Sequence, residues 1–263
     1  MKRRLLSAFL VGVLAVGLIG CSGGKVASDP GGNLEFQGES LLVYSGAGLS
    51  KAMDEIGQVF EANYGATIQL NYGGCAQLLG QMEINSTGDV FVGGSMNDAD
   101  IALEKGFTEE CLEVVYHIPA IAVPKGNPAG ITSLEDMAKP GMKLILGDTL
   151  SNAIGKKGEK IFDKKGLLEK IDANVVARAV TVNEIITQIS LGQGDAGLVW
   201  ADNGVGNSDI KIIEIPIEQN LMDKVPACVL NFTDKEELAQ LFLNFLISEE
   251  GEAIFVKHGF KVI

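Results

Sequence analysis

The chain has 263 residues, 46% hydrophobic and 21% charged, enough apolar matter for a large buried core and far from the composition of a disordered polymer. Its 34 Asp plus Glu against 21 Lys plus Arg give a net charge of -13, which argues against nucleic acid and anionic membrane surfaces as partners. With 33 Gly, 11 Phe, 4 Tyr and 1 Trp, the composition suits an α/β protein rich in tight strand-to-helix turns, and 4 Cys do not make a disulfide scaffold.

Residues 1–20 read as an export signal. Lys2, Arg3 and Arg4 form a basic region, followed by an apolar run from Leu5 to Ile19 that is shorter than the roughly 20 residues of a membrane-spanning helix. The run ends Leu18-Ile19-Gly20-Cys21, which resembles the lipobox of bacterial lipoproteins, where the cysteine becomes the lipidated first residue. Cys21 is therefore the expected lipid anchor. Residues 1–20 carry three positive and no negative charges, so their removal makes the exported body more acidic still. Residues 21–40 are rich in Gly with little apolar periodicity and read as a flexible tether. Beyond Cys21, three thiols remain at Cys75, Cys111 and Cys228, so at least one is unpaired in a monomer, and the sequence does not select a pair.

From Leu41 the pattern alternates β-branched runs with amphipathic stretches, as parallel α/β units do. A strand Leu41–Tyr44 leads into the small turn Ser45-Gly46-Ala47-Gly48, and Ala52, Ile56, Val59 and Phe60 follow at helical spacing. A strand Thr67–Tyr72, the turn Gly73-Gly74-Cys75 and a helix bearing Leu78, Leu79 and Met82 repeat the theme, and Asp89–Val92 gives a third strand. The apolar run Val114–Val123, interrupted by Pro119, has the form of a crossing between two lobes. Strands are expected at Leu144–Leu146, Val175–Val180 and Ala196–Trp200, and helices at about Ile154–Lys165 and around Val182, Ile185, Ile186 and Ile189. Ile210–Pro216 reads as an edge strand closed by proline, Val225–Leu230 as a return to the first lobe, and Leu238–Phe255 as a carboxy-terminal helical region. The expected organisation is discontinuous: 41–118 and 228–263 in lobe one, 119–227 in lobe two.

The chemistry falls at the strand-to-helix turns. There the first backbone N–H groups of a helix, with the positive end of its dipole behind them, make an anion site. Any one such turn is explained by chain reversal alone; several converging turns are not. Cys75 at an expected helix start would have a lowered pKa, and with His117 would make a nucleophilic pair; a small buried or site-lining thiol is the plainer reading. His117 and His258 lack metal-ligand spacing, and Lys156, Lys157 and Lys160 read as a solvated helix face.

The segments LLVYSGAGLSKAMDEIGQVF, QLNYGGCAQLLGQM, GDTLSNAIGKKGEKIF, TVNEIITQISLGQGDAGLVWADN and FVKHGF resemble, in matching order over about Leu41–Phe260, the molybdate-binding proteins of ABC transporters. The resemblance implies a two-lobe α/β periplasmic-binding-protein fold of type II-like form, hinged on two crossover strands. It implies a solute-binding protein, not an enzyme, with no cofactor and one bound oxyanion, molybdate or tungstate. The implied partners are the permease and ATPase of an importer, the implied place is the outer face of the cytoplasmic membrane or the periplasm, and a monomer is expected. Carried over residue by residue, the family's oxyanion contacts fall on Gly48 and Cys75 where serines are usual, on the backbone N–H groups of Ile154 and Val182, and on Trp200 where a tyrosine is usual. Ser45, three positions before Gly48, is a candidate replacement hydroxyl. These turns show no acceptor carboxylate, which favours a fully ionised oxyanion; Asp148 and Asp202 keep a protonated one open. Sulfate, chromate, phosphate or a small organic acid is the alternative ligand, and a secreted thiol enzyme the alternative of another class.

Overall fold

Residues 34–263 are described in the computed structural model, so the expected export signal, the lipid-bearing Cys21 and most of the expected tether lie outside the described residues. The last part of that tether is ordered, contrary to the expectation. The Phe36 N–H donates to the Tyr64 carbonyl at 3.0 Å, the Thr67 N–H donates to the Glu39 carbonyl at 2.9 Å, and Phe36 packs on the core. The Phe36 ring and these backbone bonds dock the segment.

The chain then runs β1 (Ser40–Gly46), α1 (Ser50–Tyr64), β2 (Thr67–Gly73), α2 (Cys75–Asn85), β3 (Val90–Val92), α3 (Met96–Glu104) and β4 (Leu112–His117). β5 (Pro119–Pro124), α4 (Leu134–Met137), β6 (Leu144–Gly147), α5 (Ala153–Lys164), α6 (Leu168–Asp172), β7 (Val175–Ala179), α7 (Val182–Ser190), β8 (Ala196–Trp200) and β9 (Ile210–Glu214) follow. The chain closes with β10 (Asp223–Val229), α8 (Glu236–Leu246), α9 (Glu249–Lys257) and β11 (Lys261–Val262).

The strands form two sheets. One has the order β11-β4-β10-β3-β1-β2, the other β7-β6-β8-β5-β9. β1 pairs in parallel with β2 and β3, and β6 in parallel with β7 and β8, the arrangement expected where helices cross back over a sheet. The apolar run Val114–Val123 is divided at Ile118: β4 belongs to the first sheet and β5 to the second, where it pairs antiparallel with β8 and β9. Each sheet carries its own hydrophobic core. Ile121, Leu146, Ile161, Ile185 and Leu198 lie in one, while Val43, Phe60, Val92, Val225 and Phe242 lie in the other.

The return to the first sheet comes earlier than expected. β10 starts at Asp223, paired with His117 on β4, so residues 223–227 belong with the first sheet and not with lobe two. Polar Asp223 and Lys224 hide the start of this strand from an apolar count. The expected helical region Leu238–Phe255 is two helices, because the Ser248 hydroxyl donates to the Phe245 carbonyl at 2.7 Å and accepts the Gly251 N–H at 3.2 Å, starting α9 afresh. Cys111 and Cys228 are disulfide-bonded, leaving Cys75 as the free cysteine among the described residues. No described helix is long and apolar enough to cross a membrane.

Candidate functional site

Four helix starts meet around one small cavity of about 30 Å³. From the first sheet come the turn Ala47–Leu49 ahead of α1 and the Gly74–Cys75 start of α2; from the second come the Asn152–Ala153 start of α5 and the Thr181–Val182 start of α7. Each of these helices has at least nine residues and brings a positive dipole end to the cavity, with some first-turn N–H groups already taken: Ser50 N–H by the Ala47 carbonyl and Glu184 N–H by the Thr181 hydroxyl. No lysine, arginine or carboxylate residue lines the cavity; His117, Trp200 and Gly94 complete its wall with glycines and small side chains.

The approach of the two sides depends on missing side chains. A Cβ on Gly48 would lie 2.9 Å from Val182 Cγ1 and 3.7 Å from Trp200 Cδ1. One on Gly74 would lie 3.0 Å from the Val180 carbonyl oxygen and 3.3 Å from that of Ser151. Polar links cross the same seam. Asn183 Nδ2 donates to the Ala47 carbonyl at 2.8 Å, Lys51 Nζ donates to the Val205 carbonyl at 3.0 Å, and Lys157 on α5 pairs with Asp223 on β10 at 2.5 Å. The expected solvated lysine face of α5 is therefore corrected: only Lys160 is exposed, while Lys156 and Lys157 are half-buried because α5 faces the other lobe.

Of the six residues expected to hold the ligand, Gly48, Cys75, Val182 and Trp200 line this cavity and two do not. The Ile154 N–H donates to the Asn152 side chain at 3.2 Å, since Asn152 caps α5, and it is Ala153 one position earlier that reaches the wall. Ser45 is wholly buried in β1, with an unpartnered hydroxyl, and is not part of the wall. Trp200 is held by His117, whose ring stacks on the indole at 3.7 Å between centroids and 15° between planes. His117 Nδ1 donates to the Gly94 carbonyl at 2.9 Å, and Nε2 faces Asp202 Oδ1 at 3.5 Å, too long for a good hydrogen bond. His258 lies elsewhere, bonded to Glu55 at 2.8 Å.

Cys75 departs most from expectation. Burial and the neighbouring Asp98 carboxyl push its thiol well above the ordinary range, outweighing the Gly94 N–H that donates to its sulfur at 3.3 Å. The thiolate expected from a helix start is not favoured, and with it goes the nucleophile that a Cys75–His117 enzyme would need. Asp98 was not anticipated at all. It lies directly behind Gly94 and Cys75, with Oδ2 accepting the Gly94 N–H at 3.1 Å and the Ser95 hydroxyl at 3.0 Å. The spacing Ser95-x-x-Asp98 at the start of α3 was its one local signal. Asp148 is turned away, accepting from Leu150 and Ser151 in its own loop, while Asp202 faces His117. Among the described residues no group of three or more His, Cys, Asp or Glu could hold a metal ion.

Residues 41–261 match the family model described as bacterial extracellular solute-binding protein. The molybdate-binding protein ModA of Mycobacterium tuberculosis is 26% identical over 259 residues, covering 97% of this chain and 95% of that protein. Among solved structures, the periplasmic molybdate-binding protein of Azotobacter vinelandii superposes with a TM-score of 0.74 at 17% identity, covering 85% of this chain and 99% of that one. The sulfate-binding protein SubI of M. tuberculosis gives 0.77 at 17% identity, covering 86% and 87%. At such identities the structural likeness speaks for the two-lobed fold.

Proposed function

Because the chain belongs to the family of bacterial extracellular solute-binding proteins, we propose that it captures a tetrahedral oxyanion, molybdate or tungstate, between its lobes. It then presents the closed, loaded form to the permease and ATPase of an ABC importer. The observation that carries this reading is the cavity where helix starts from both sheets converge with no charged side chain of lysine, arginine or a carboxylate in its wall. Backbone N–H groups and helix dipoles bind a fully ionised oxyanion without a counter-charge, and remote acidic surface is screened beyond about 8 Å at physiological salt. The small volume favours a compact inorganic anion over a larger organic acid.

The contacts follow from the wall: backbone N–H groups around Gly48 and Cys75 from one side, Ala153 and Val182 from the other, and the Trp200 indole N–H as a donor. In this reading Cys21 carries a lipid, the protein works as an anchored monomer outside the cytoplasmic membrane, and the lobes divide near residues 118 and 222. Calorimetric titration with molybdate, tungstate, sulfate, chromate and phosphate tests the ligand. Stoichiometric binding of molybdate or tungstate, tightest of the panel, is expected. Preference for sulfate keeps the importer role and changes its cargo, whereas no binding by any of the five removes the reading.

A further inference from the structure

Asp98 is fully buried in the first lobe, and its Oδ1 has no hydrogen-bond partner. A buried carboxylate ordinarily has both oxygens satisfied or a cation in contact, since an unpaired buried charge is strongly destabilising. Oδ2 alone is bonded, to the Gly94 N–H and the Ser95 hydroxyl. Those two bonds explain why a short acid stands at the third position of α3, where it ties the helix start to the loop after β3. They do not explain an orphan oxygen. Burial makes the charged form costly there, so a second negative charge brought close would drive the carboxyl to its neutral form.

The location gives the orphan its consequence. Gly94 and Cys75 form the cavity wall, and both touch Asp98: the Gly94 N–H is shared between Asp98 Oδ2 and Cys75 Sγ, at 3.1 and 3.3 Å. One layer of atoms thus separates the carboxyl from the space assigned to a doubly charged anion. Through so thin a low-dielectric wall, a negative charge on Asp98 opposes the anion with little screening.

The charged and titratable groups around it do not cancel that charge. Cys75 on α2 is held as a neutral thiol, His117 on β4 meets the other side of Gly94, and Asp223 on β10 accepts the Met96 N–H beside the start of α3. Lys156 on α5 is the cation acting on Asp98, through space and without an ion pair, and Lys157 is already paired with Asp223. Burial is the largest influence on Asp98, and it raises the carboxyl's pKa against the pull of Lys156 and of three donors, the Cys75 thiol, the Ser95 hydroxyl and the Gly94 N–H.

We propose that Asp98 is a charge gate behind the oxyanion cavity: the anion is held only over a protonated Asp98, so capture of a dianion takes up a proton. This specificity-determining role rests on the oxyanion reading and deepens it. It makes the site tightest in mild acid and progressively weaker as pH rises, although the ligand itself does not change charge. It also distinguishes the protein from a simple cage of backbone donors, whose affinity for a fully ionised anion would be independent of pH.

The test is calorimetric titration of the purified chain with sulfate and molybdate between pH 5.5 and 8.5, in pairs of buffers differing in ionisation enthalpy. Sulfate stays fully ionised throughout, so any proton exchanged belongs to the protein. The expected result is uptake that rises with pH toward one proton per anion as the ligand-free carboxyl becomes charged, with affinity then falling by up to tenfold per pH unit, the limit for one linked proton. Asp98→Asn keeps the size and the acceptor oxygen for Gly94 and Ser95; it is expected to bind at least as tightly at pH 8.5 as the parent does at pH 5.5, with the Asp98-linked uptake lost. Binding by the parent without proton uptake anywhere in the range overturns the proposal. So does an unchanged pH slope in Asp98→Asn, which would place the proton on another group. If the variant does not fold, the buffer pairs on the parent still decide. Absence of any binding heat or anion-induced shift in Tm, by contrast, removes the oxyanion reading and this role with it.

Discussion

The His117 imidazole lies flat on the Trp200 indole, and the two residues stand at facing ends of different sheets: His117 ends β4 and Trp200 ends β8. The stack therefore spans the junction of the lobes. His117 is oriented by the Gly94 carbonyl, and Trp200 by the Asn203 side chain, which accepts its backbone N–H at 3.1 Å. An indole clamped from both directions loses little freedom when it donates to an anion.

The stack yields an optical prediction, because Trp200 is the only tryptophan of the chain. Intrinsic fluorescence should change saturably on adding molybdate, in step with calorimetry. Trp200→Phe, which keeps an aromatic ring and loses the donor, should weaken binding about tenfold to a hundredfold, the worth of one hydrogen bond to a charged partner at roughly 1.5–3 kcal/mol. Unaltered affinity in Trp200→Phe would show that the indole N–H does not reach the ligand.

The Lys157–Asp223 pair should favour the closed arrangement. Their side chains are 17% and 9% exposed, so removing one partner strands the other in the seam, at a cost of about 1–3 kcal/mol after allowance for the water still reaching Lys157. In an open form Asp223 regains water, and the penalty falls on closure alone. Lys157→Met should lower anion affinity at least several-fold and raise the radius of gyration of the ligand-free protein in small-angle scattering. An unchanged radius and affinity would mean that the pair contributes nothing to closure.

Gly48 and Gly74 test the same seam sterically. Alanine at Gly48 meets the branched Val182, and alanine at Gly74 meets backbone carbonyls, neither of which yields cheaply. Both variants should lose more than tenfold in affinity while Tm of the ligand-free protein moves by less than about 2 °C, the equivalent of roughly half a kcal/mol. A large fall in Tm with unaltered affinity would place the clash within a lobe and not between them.

Cys75 supplies a pH prediction. Its thiol is raised by burial and by Asp98, so the folded state retains a proton that the unfolded chain releases at about its ordinary value of 9.0. Between that value and the higher folded one, the native state binds more protons, and stability must fall as pH rises. Cys75→Ser should be less sensitive between pH 9 and 10.5 in denaturant titrations. At pH 7, with Cys111 and Cys228 in their disulfide, maleimide labelling should be slow even without ligand; rapid labelling there would contradict the buried, protonated thiol.

Much of this arrangement could be read from residue order. Small-residue turns after β1 and β2 and the periodicity of Ala52, Ile56 and Phe60 marked the first lobe, and Pro119 marked the passage to the second. What escaped depends on contacts far apart in sequence. Asp223 begins β10 because its carboxylate serves Met96 and Lys157, partners 127 and 66 positions away, and no local apolar pattern records that. The family resemblance points to the Ile154 N–H, but a position carried over by resemblance does not show that the Asn152 side chain claims that N–H. Asp98 comes to lie behind the cavity wall because β3 lies beside β1 in the sheet, which brings the loop after β3 against the start of α2.

The disulfide between Cys111 and Cys228 has a topological consequence. One cysteine immediately precedes β4 and the other lies in β10, the two strands through which the chain leaves the first sheet and comes back. Everything between them, the whole of the second sheet included, is a covalently closed ring sewn to the first lobe at its base. A protease cutting once within that ring would leave two fragments that stay covalently joined even when denatured, until a reductant opens the disulfide.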